Sequence, residues 1–450
     1  MITRFKIKAC LLLLMLAVAA RVQAQEPVSL SLQECIDYAM KHADTIKNVR
    51  LNILRQEAQN NQIRALALPQ ISATGILNYY PNPQQALVPA GIFDGGKTEG
   101  YVPVQFTPSW GSTVTLSGSQ PIFDGTLLVA LKARNTIMDV VRQVAQLTEE
   151  GLKYQIQRAY FSIVIAHVQQ KNLTNSLFTA REMARDLEAM YSAGFVEKIE
   201  VDRSNVQLTN METDSLRSAT MLEVVEQALK YTIGMDISQP IILTDTSLTE
   251  NLRDATALLT EQLDYTRRTE YNLIHSSLKL DEAQLKRYQL AALPTLRLNA
   301  NTGYNYGSNG FAELTQTRNY LFSTFLGLQL NVPIFTGLLR TNQVKEARIN
   351  IEKTQNNIHQ LKLGLDYQAA QSHTTLKNAL LAAEMQKRNL ALANTVLDLA
   401  HKKYKAGVGS NLEVSVAQTA LLFSQNNYYS AMLDVVNAQA DAQRAFGLLP

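Results

Sequence analysis

The chain has 450 residues, 46% hydrophobic and 18% charged, with 42 Lys and Arg against 39 Asp and Glu for a net charge of +3. That balance gives no basic surface of the kind nucleic acid requires. Two cysteines, Cys10 and Cys35, cannot build a disulfide framework.

The chain begins with an export signal. Arg4, Lys6 and Lys8 precede an apolar run from Ala9 to Ala20, and Val22-Gln23-Ala24 is a small-residue cleavage site. The apolar run is too short to span a bilayer, so residues 1–24 are read as a removable signal peptide. They hold four bases (Arg4, Lys6, Lys8, Arg21) and no acid, so removal turns the net charge from +3 to −1. Cys35 then remains alone, on an amphipathic helix, and reads as a small buried residue. No mature segment is apolar for long enough to be a transmembrane helix. Barrel strands, which are short and alternate in polarity, escape that test.

Two halves with one plan follow, 25–240 and 241–450. Tyr191-Ser-Ala-Gly-Phe-Val-Glu-Lys-Ile-Glu-Val201 matches Tyr404-Lys-Ala-Gly-Val-Gly-Ser-Asn-Leu-Glu-Val414 at an offset of 213. Pro121-Ile-Phe-Asp-Gly125 matches Pro333-Ile-Phe-Thr-Gly337, Tyr231-Thr-Ile-Gly234 sits opposite Arg444-Ala-Phe-Gly447, and Leu68-Pro69 matches Leu293-Pro294. A duplication of this kind makes each half one structural unit with similar faces. Each half reads as helix, hairpin, long helix, tight turn, helix. The first helices are placed at about 32–67 and 255–292, both ended by Leu-Pro, because proline cannot continue a helix.

The hairpins are placed at about 71–120 and 296–332. Ile71, Ala73, Gly75, Leu77 and Tyr79 alternate with Ser72, Thr74, Ile76, Asn78 and Tyr80, while Val114, Leu116 and Gly118 oppose Thr113, Thr115, Ser117 and Ser119. In the second half, Leu296, Leu298, Ala300, Thr302, Tyr304 and Tyr306 alternate with Arg297, Asn299, Asn301, Gly303 and Asn305. On the return strand Phe322, Thr324, Leu326, Leu328 and Leu330 oppose Ser323, Phe325, Gly327, Gln329 and Asn331. Period two with one apolar and one polar face is the strand signature. The stretches 81–111, rich in Pro and Gly, and 307–320 read as connecting loops. Tyr79, Tyr80, Tyr101, Trp110, Tyr304, Tyr306 and Tyr320 gather near strand ends, where an interfacial aromatic girdle would put them.

From Gly125 to Tyr191 and from Gly337 to Tyr404 no proline interrupts. Leu127, Leu131, Met138, Val141 and Ala145 in one run, and Val344, Ile351, Ile358, Leu361 and Leu365 in the other, recur at near-heptad spacing. About 65 helical residues would reach about 100 Å. The polar positions of these helices are largely uncharged (Gln169-Gln170, Asn172, Asn356-Asn357, Gln368, Gln371-Ser372, Gln425-Asn426-Asn427). Such faces suit a tube with water on both sides, or an ordinary solvated bundle.

Four amphipathic strands cannot lie in lipid as an open sheet, since each unpaired edge amide costs several kcal/mol there. Closure by several identical subunits meets that demand, and three chains would supply twelve strands. The alternative reading is two soluble hairpins packed on helices.

The duplicated plan, the Leu-Pro turns into the strands, Pro333-Ile-Phe-Thr-Gly337 and above all Tyr404-Lys-Ala-Gly407, Asn411-Leu-Glu-Val414 and Ala417-Gln418 resemble the TolC-type outer-membrane efflux protein family over nearly the whole mature chain. The resemblance implies a mainly α fold class: a trimeric transmembrane β-barrel with four strands per chain, continued by an α-helical barrel of two repeats. It implies an outer-membrane subunit with its helices in the periplasm, a homotrimer, which meets a periplasmic adaptor (membrane fusion) protein and, directly or through it, an inner-membrane pump. It also implies docking of the adaptor at the two helix-to-helix turns, Ala193, Gly194, Phe195 and Val196, and Ala406, Gly407, Val408 and Gly409. Gly194 and Gly407 additionally suit plain helix C-caps. Tyr404, Glu413 and its counterpart Glu200 match the family's periplasmic aperture, although first-turn acids also favour any helix N-terminus. This chain departs from the family at Gly409, where a basic residue takes part in closure, and at Val416, which replaces a second acid.

Chemistry is not expected. The six histidines (His42, His167, His275, His359, His373, His401) make no ligand pair, and no nucleophile elbow, P-loop or dinucleotide fingerprint occurs. The expectation is therefore a passive duct without cofactor, serving efflux or protein secretion. The competing reading is a periplasmic coiled-coil scaffold or adaptor that forms no pore.

Overall fold

The computed structural model describes residues 27–95, 99–245, 255–315 and 320–449; the proposed signal peptide lies outside them. The chain is mainly helical and divides into two compact units, each drawn from both halves of the sequence. One comprises Met1–Asn52, Arg142–Leu273 and Ile358–Pro450, the other Ile53–Val141 and Ile274–Asn357.

In chain order, β1 (Val28–Leu30) leads to α1 (Leu32–His42) and α2 (Asp44–Ala65). Next come β2 (Gln70–Tyr79), the short strands β3 (Gln85–Pro89) and β4 (Tyr101–Gln105), and β5 (Trp110–Phe123). Two long helices follow, α3 (Gly125–Ser192) and α4 (Lys198–Ile233), then β6 (Ile241–Leu243). The second half contributes α5 (Thr269–Leu290), β7 (Thr295–Ser308), β8 (Leu321–Asn331), α6 (Leu339–Lys405) and α7 (Asn411–Phe446). No helix among the described residues is long and apolar enough to cross a membrane.

Among the described residues the first unit is held by two main cores and a smaller cluster of Ala400, Val414 and Ala417. In one, Leu30, Cys35, Ile36, Ala39, Ala43 and Ile46 pack with Ile156, Tyr160, Ile163, Leu229 and Ile233. The residues from α1 into α2 recur at helical spacing, so one apolar stripe faces inward. Above it, β1 and β6 pair in parallel, Val28 opposite Ile241. The Tyr160 hydroxyl donates to the Leu30 carbonyl at 3.1 Å and accepts from the Asp245 N–H at 3.0 Å, which satisfies the buried phenol. The second core joins Ala369, Leu376, Ala379 and Ala383 of α6 to Met432, Val435, Ala438, Ala442 and Phe446 of α7.

The single helix expected over 32–67 is two. Ala43 leaves the helical region with ψ at 128°. Likewise the helix expected from 255 is interrupted: residues 255–257 are helical, two 3-10 turns follow, and the helix proper starts at Thr269 because Arg268 is extended with ψ at 119°. The two breaks stand 225 residues apart, the offset of the Leu-Pro pairs. Each is packed by the glycine that ends its half's last helix. Gly234 has φ at +74°, and a Cβ there would lie 2.9 Å from Ala43 Cα; Gly447 has φ at +70°, and its Cβ would lie 2.9 Å from the Arg267 carbonyl oxygen. Hydrophobic periodicity runs through the break, so the sequence pattern does not reveal it.

The second unit is built on a four-stranded sheet of order β2-β5-β7-β8, with every neighbour antiparallel. The stretch 81–111, expected to be loop, contains the separate hairpin β3–β4, with Leu87 opposite Pro103.

Candidate functional site

Each unit has one candidate functional feature. The first is the sheet. Strand alternation fixes faces only within a strand, and register decides whether faces add up across strands. Here they do. Ala73 pairs with Leu116, Leu116 with Thr302, and Thr302 with Thr324; Val114 pairs with Tyr304 and Tyr304 with Phe322; Leu298 pairs with Leu328. The main apolar rows therefore share one side, which the described residues do not cover; on the other side the apolar residues are Ile76, Leu321 and Phe325. Ile71 is 72% exposed, Leu326 70%, Leu328 68% and Leu330 63%. On the opposite side Asn299 donates to Gln329 at 2.9 Å, as two residues on one polar face should. A contiguous apolar surface of this size marks a partner or a lipid phase.

Aromatic rings gather at one end of this sheet. Tyr79 and Trp110 lie 4.4 Å apart between centroids, Trp110 and Phe311 4.9 Å, and Tyr306 and Tyr320 5.1 Å. The duplicated Pro-Ile-Phe motifs leave Phe123, the last residue of β5, and Phe335, just beyond β8, exposed near the other end.

The second feature is the pair of turns that join α3 to α4 and α6 to α7. Both are built by the same backbone device. The Gly194 N–H donates to the Tyr191 carbonyl at 2.9 Å and Phe195 N–H to Met190 at 2.9 Å; Gly407 N–H donates to Tyr404 at 3.0 Å and Val408 N–H to Lys403 at 3.1 Å. This pair of bonds closes a helix on a left-handed residue, and Gly194 and Gly407 have φ at +79° and +75°. Phe195 and Val408, one residue on, are 81% and 78% exposed. Ala193 and Ala406 are exposed and Val196 is half-buried. Gly409 has a packing reason of its own, since a Cβ there would sit 2.9 Å from Lys403 Cβ and 3.1 Å from its carbonyl carbon.

The two turns lie side by side. Glu200 accepts from the Asn411 side chain at 3.2 Å and pairs with Arg203 at 3.1 Å. The Tyr404 hydroxyl reaches Met190 Sδ at 3.8 Å, and Gln207 donates to Thr419 at 3.3 Å. Ser410 caps α7 by accepting from the Glu413 N–H at 3.2 Å, which leaves the Glu413 carboxylate exposed in the first turn. Glu200 and Glu413 thus part ways: one is tied across to the other half, the other faces outward. Asn411 and Met190 were not foreseen as partners of Glu200 and Tyr404, since only the packing of α7 beside α4 and of α6 beside α3 brings them together, whereas Arg203 stands one turn after Glu200 on the same helix. Of the uncharged helix residues read as facing water, Asn172 instead donates to Tyr429 at 3.0 Å and Gln170 to Ser215 at 3.5 Å.

The profile of the family described as "Outer membrane efflux protein" matches residues 271–448. The outer membrane protein TolC of Escherichia coli K12 is 21% identical over 363 residues, 78% of this chain and 72% of TolC. Protein CyaE of Bordetella pertussis is 21% identical over 417 residues, 90% of this chain and 81% of CyaE. The crystal structure of the Campylobacter jejuni CmeC outer membrane channel superposes with a TM-score of 0.70 at 16% identity, covering 92% of this chain and 85% of that one.

Proposed function

We propose that this chain, which belongs to the outer membrane efflux protein family, is the outer-membrane channel subunit of a tripartite export system. It conducts passively what an inner-membrane pump and a periplasmic adaptor deliver, and performs no chemistry. The supporting observation is the sheet register, which gathers four apolar rows on one uncovered side. Successive antiparallel pairing also makes the two edge strands, β2 and β8, run in opposite directions. A second copy can therefore continue the antiparallel pattern at either edge, and three copies close a ring of twelve strands. Closure removes the unpaired edges that lipid forbids. The apolar side then meets lipid, the amide- and hydroxyl-rich side lines water, and the aromatic clusters near the sheet ends become the two interfacial girdles.

In that assembly the paired turns are the adaptor-docking tip. Phe195 and Val408 supply exposed apolar contacts, and Gly194, Gly407 and Gly409 shape the turns. Three copies of Glu413 form a negative ring that favours cations at the aperture, while Tyr404 and Glu200 tie the turns together within each chain. Gly409, packed on Lys403, contributes shape where the family has a basic residue.

The test is fractionation followed by planar-bilayer recording. The channel reading requires detergent for extraction and discrete conductance from the purified protein. Release by carbonate with no conductance would instead support a non-pore scaffold. Glu413→Ala is expected to lower cation preference, and an unchanged reversal potential would remove Glu413 from the aperture.

A further inference from the structure

We infer that Arg297 sets the ion preference of the barrel lumen, as a ring of three guanidinium groups in an otherwise uncharged wall; the inference rests on reading the sheet as a channel wall. Over β2, β5, β7 and β8 the polar side carries mostly amides and hydroxyls, among them Ser117, Asn299, Asn301, Asn305 and Gln329, with Ile76, Leu321 and Phe325 interspersed and no charge but Arg297. Apart from tyrosines, the only ionisable residue anywhere in these four strands is Arg297. Its register partners are Pro121 and Gln329. The bond between Asn299 and Gln329 fixes the side on which the odd-numbered residues of this part of β7 stand, so Arg297 belongs to the polar row.

Arg297 is exposed and forms no ion pair among the described residues. The nearest carboxylates in sequence lie outside these strands. Asp124, the acid that follows β5, is occupied in capping α3, where it accepts from the Thr126 N–H at 2.8 Å. A structural arginine would be paired or would pack its stem. This one stands two residues from the start of β7, beside the helical end of the sheet. A neutral wall of amides and hydroxyls presents dipoles of both senses and does not sort ions by sign. A single ring of fixed charge in such a wall does, because nothing nearby cancels its field.

The size of the effect follows from geometry. Twelve strands spaced about 4.8 Å apart and tilted about 40° enclose a ring roughly 24 Å across between backbones. Arginine side chains reaching inward bring three charges to about 8 Å from a passing ion. In water at about 0.01 M salt, where screening extends about 30 Å, they enrich anions about sevenfold, and at about 1 M salt only about 1.2-fold. The Arg297 ring thus biases the barrel lumen toward anions, opposite in sign to the Glu413 ring at the aperture, and salt erases that bias.

The test is the reversal potential of the full-length channel in planar bilayers under a KCl gradient, at low and high salt, for the wild type, Arg297→Lys and Arg297→Gln. The inference predicts that Arg297→Gln raises the potassium-to-chloride permeability ratio severalfold at low salt and little at high salt. Arg297→Lys, which keeps the charge, should stay near the wild type and controls for assembly. Conducting Arg297→Gln channels with the wild-type ratio at low salt would overturn the inference while leaving the channel reading intact. A wild-type protein that leaves the membrane in carbonate and conducts nothing would overturn both.

Discussion

Replacing Gly234 by alanine separates two costs that usually arrive together. The left-handed backbone at φ +74° charges an added Cβ about 1–2 kcal/mol, offset by about 0.4–1 kcal/mol from restricting the unfolded chain. The Cβ would also stand 2.9 Å from Ala43 Cα and 3.0 Å from the His42 carbonyl oxygen, so the packing of α4 against the α1–α2 break must shift. Overpacking of this kind costs about 1–3 kcal/mol, for a total of about 2–4 kcal/mol. Gly194→Ala is the internal control. Its φ is +79°, yet nothing lies within 4 Å of the added Cβ, so only the backbone cost of about 1 kcal/mol remains. Urea unfolding of the purified protein, followed by helical circular dichroism, reads the difference. Gly447→Ala, against the Arg267 carbonyl at 2.9 Å, should behave like Gly234→Ala. If Gly194→Ala destabilises as much as Gly234→Ala, the packing of these glycines on the two helix breaks is not what they are for.

Two further outcomes test the first unit. Burial, with the Glu34 and Asp245 charges adding to it, pushes the Cys35 thiol up to about 12, so it should resist a thiol reagent at pH 8 and react fully only on unfolding. Labelling of the native protein at the rate of a free thiol would refute that. Burial alone would raise the Glu270 carboxyl, but hydrogen bonds from Arg268 and its own N–H, with the Arg268 and Arg444 charges, outweigh it and hold the group below its ordinary 4.5. Its stabilisation is therefore complete above about pH 4.5 and is lost as pH falls through the lower, folded value. Between pH 7 and pH 3 the wild type should lose more melting temperature than Glu270→Gln, and parallel losses would count against it.

The sequence made some of this legible and hid the rest for identifiable reasons. Alternation such as Leu326-Gly-Leu328-Gln-Leu330 reads directly as strand faces, and the duplicated Tyr-x-Ala-Gly motifs read as turns because only a left-handed glycine ends the helix that way. Register was out of reach, since nothing local says that Leu116 meets Thr302. The break at Ala43 was hidden because Cys35, Ile36, Ala39, Ala43 and Ile46 keep helical spacing straight through it, while the cause, Gly234, lies far along the chain. Strands β1 and β6, three residues each, are too short to carry a period. The β3–β4 hairpin was masked by its prolines, which mark loops more often than strands. Glu200 and Glu413 were equivalent by motif, and only the approach of Asn411 to Glu200 distinguishes them.

The most direct test places the same charge on opposite sides of one sheet. Leu326 and Asn301 belong to adjacent residue pairs across β7 and β8, Ala300 with Leu326 and Asn301 with Phe325, but to opposite faces. Arginine on a lipid-facing position costs about 2–4 kcal/mol near mid-bilayer and little on the water side. In refolding into lipid vesicles, Leu326→Arg should lose about 30-fold or more of its folded-to-unfolded ratio, while Asn301→Arg assembles like the wild type. Equal losses for both, or a greater loss for Asn301→Arg, would mean that the apolar side of this sheet does not face lipid.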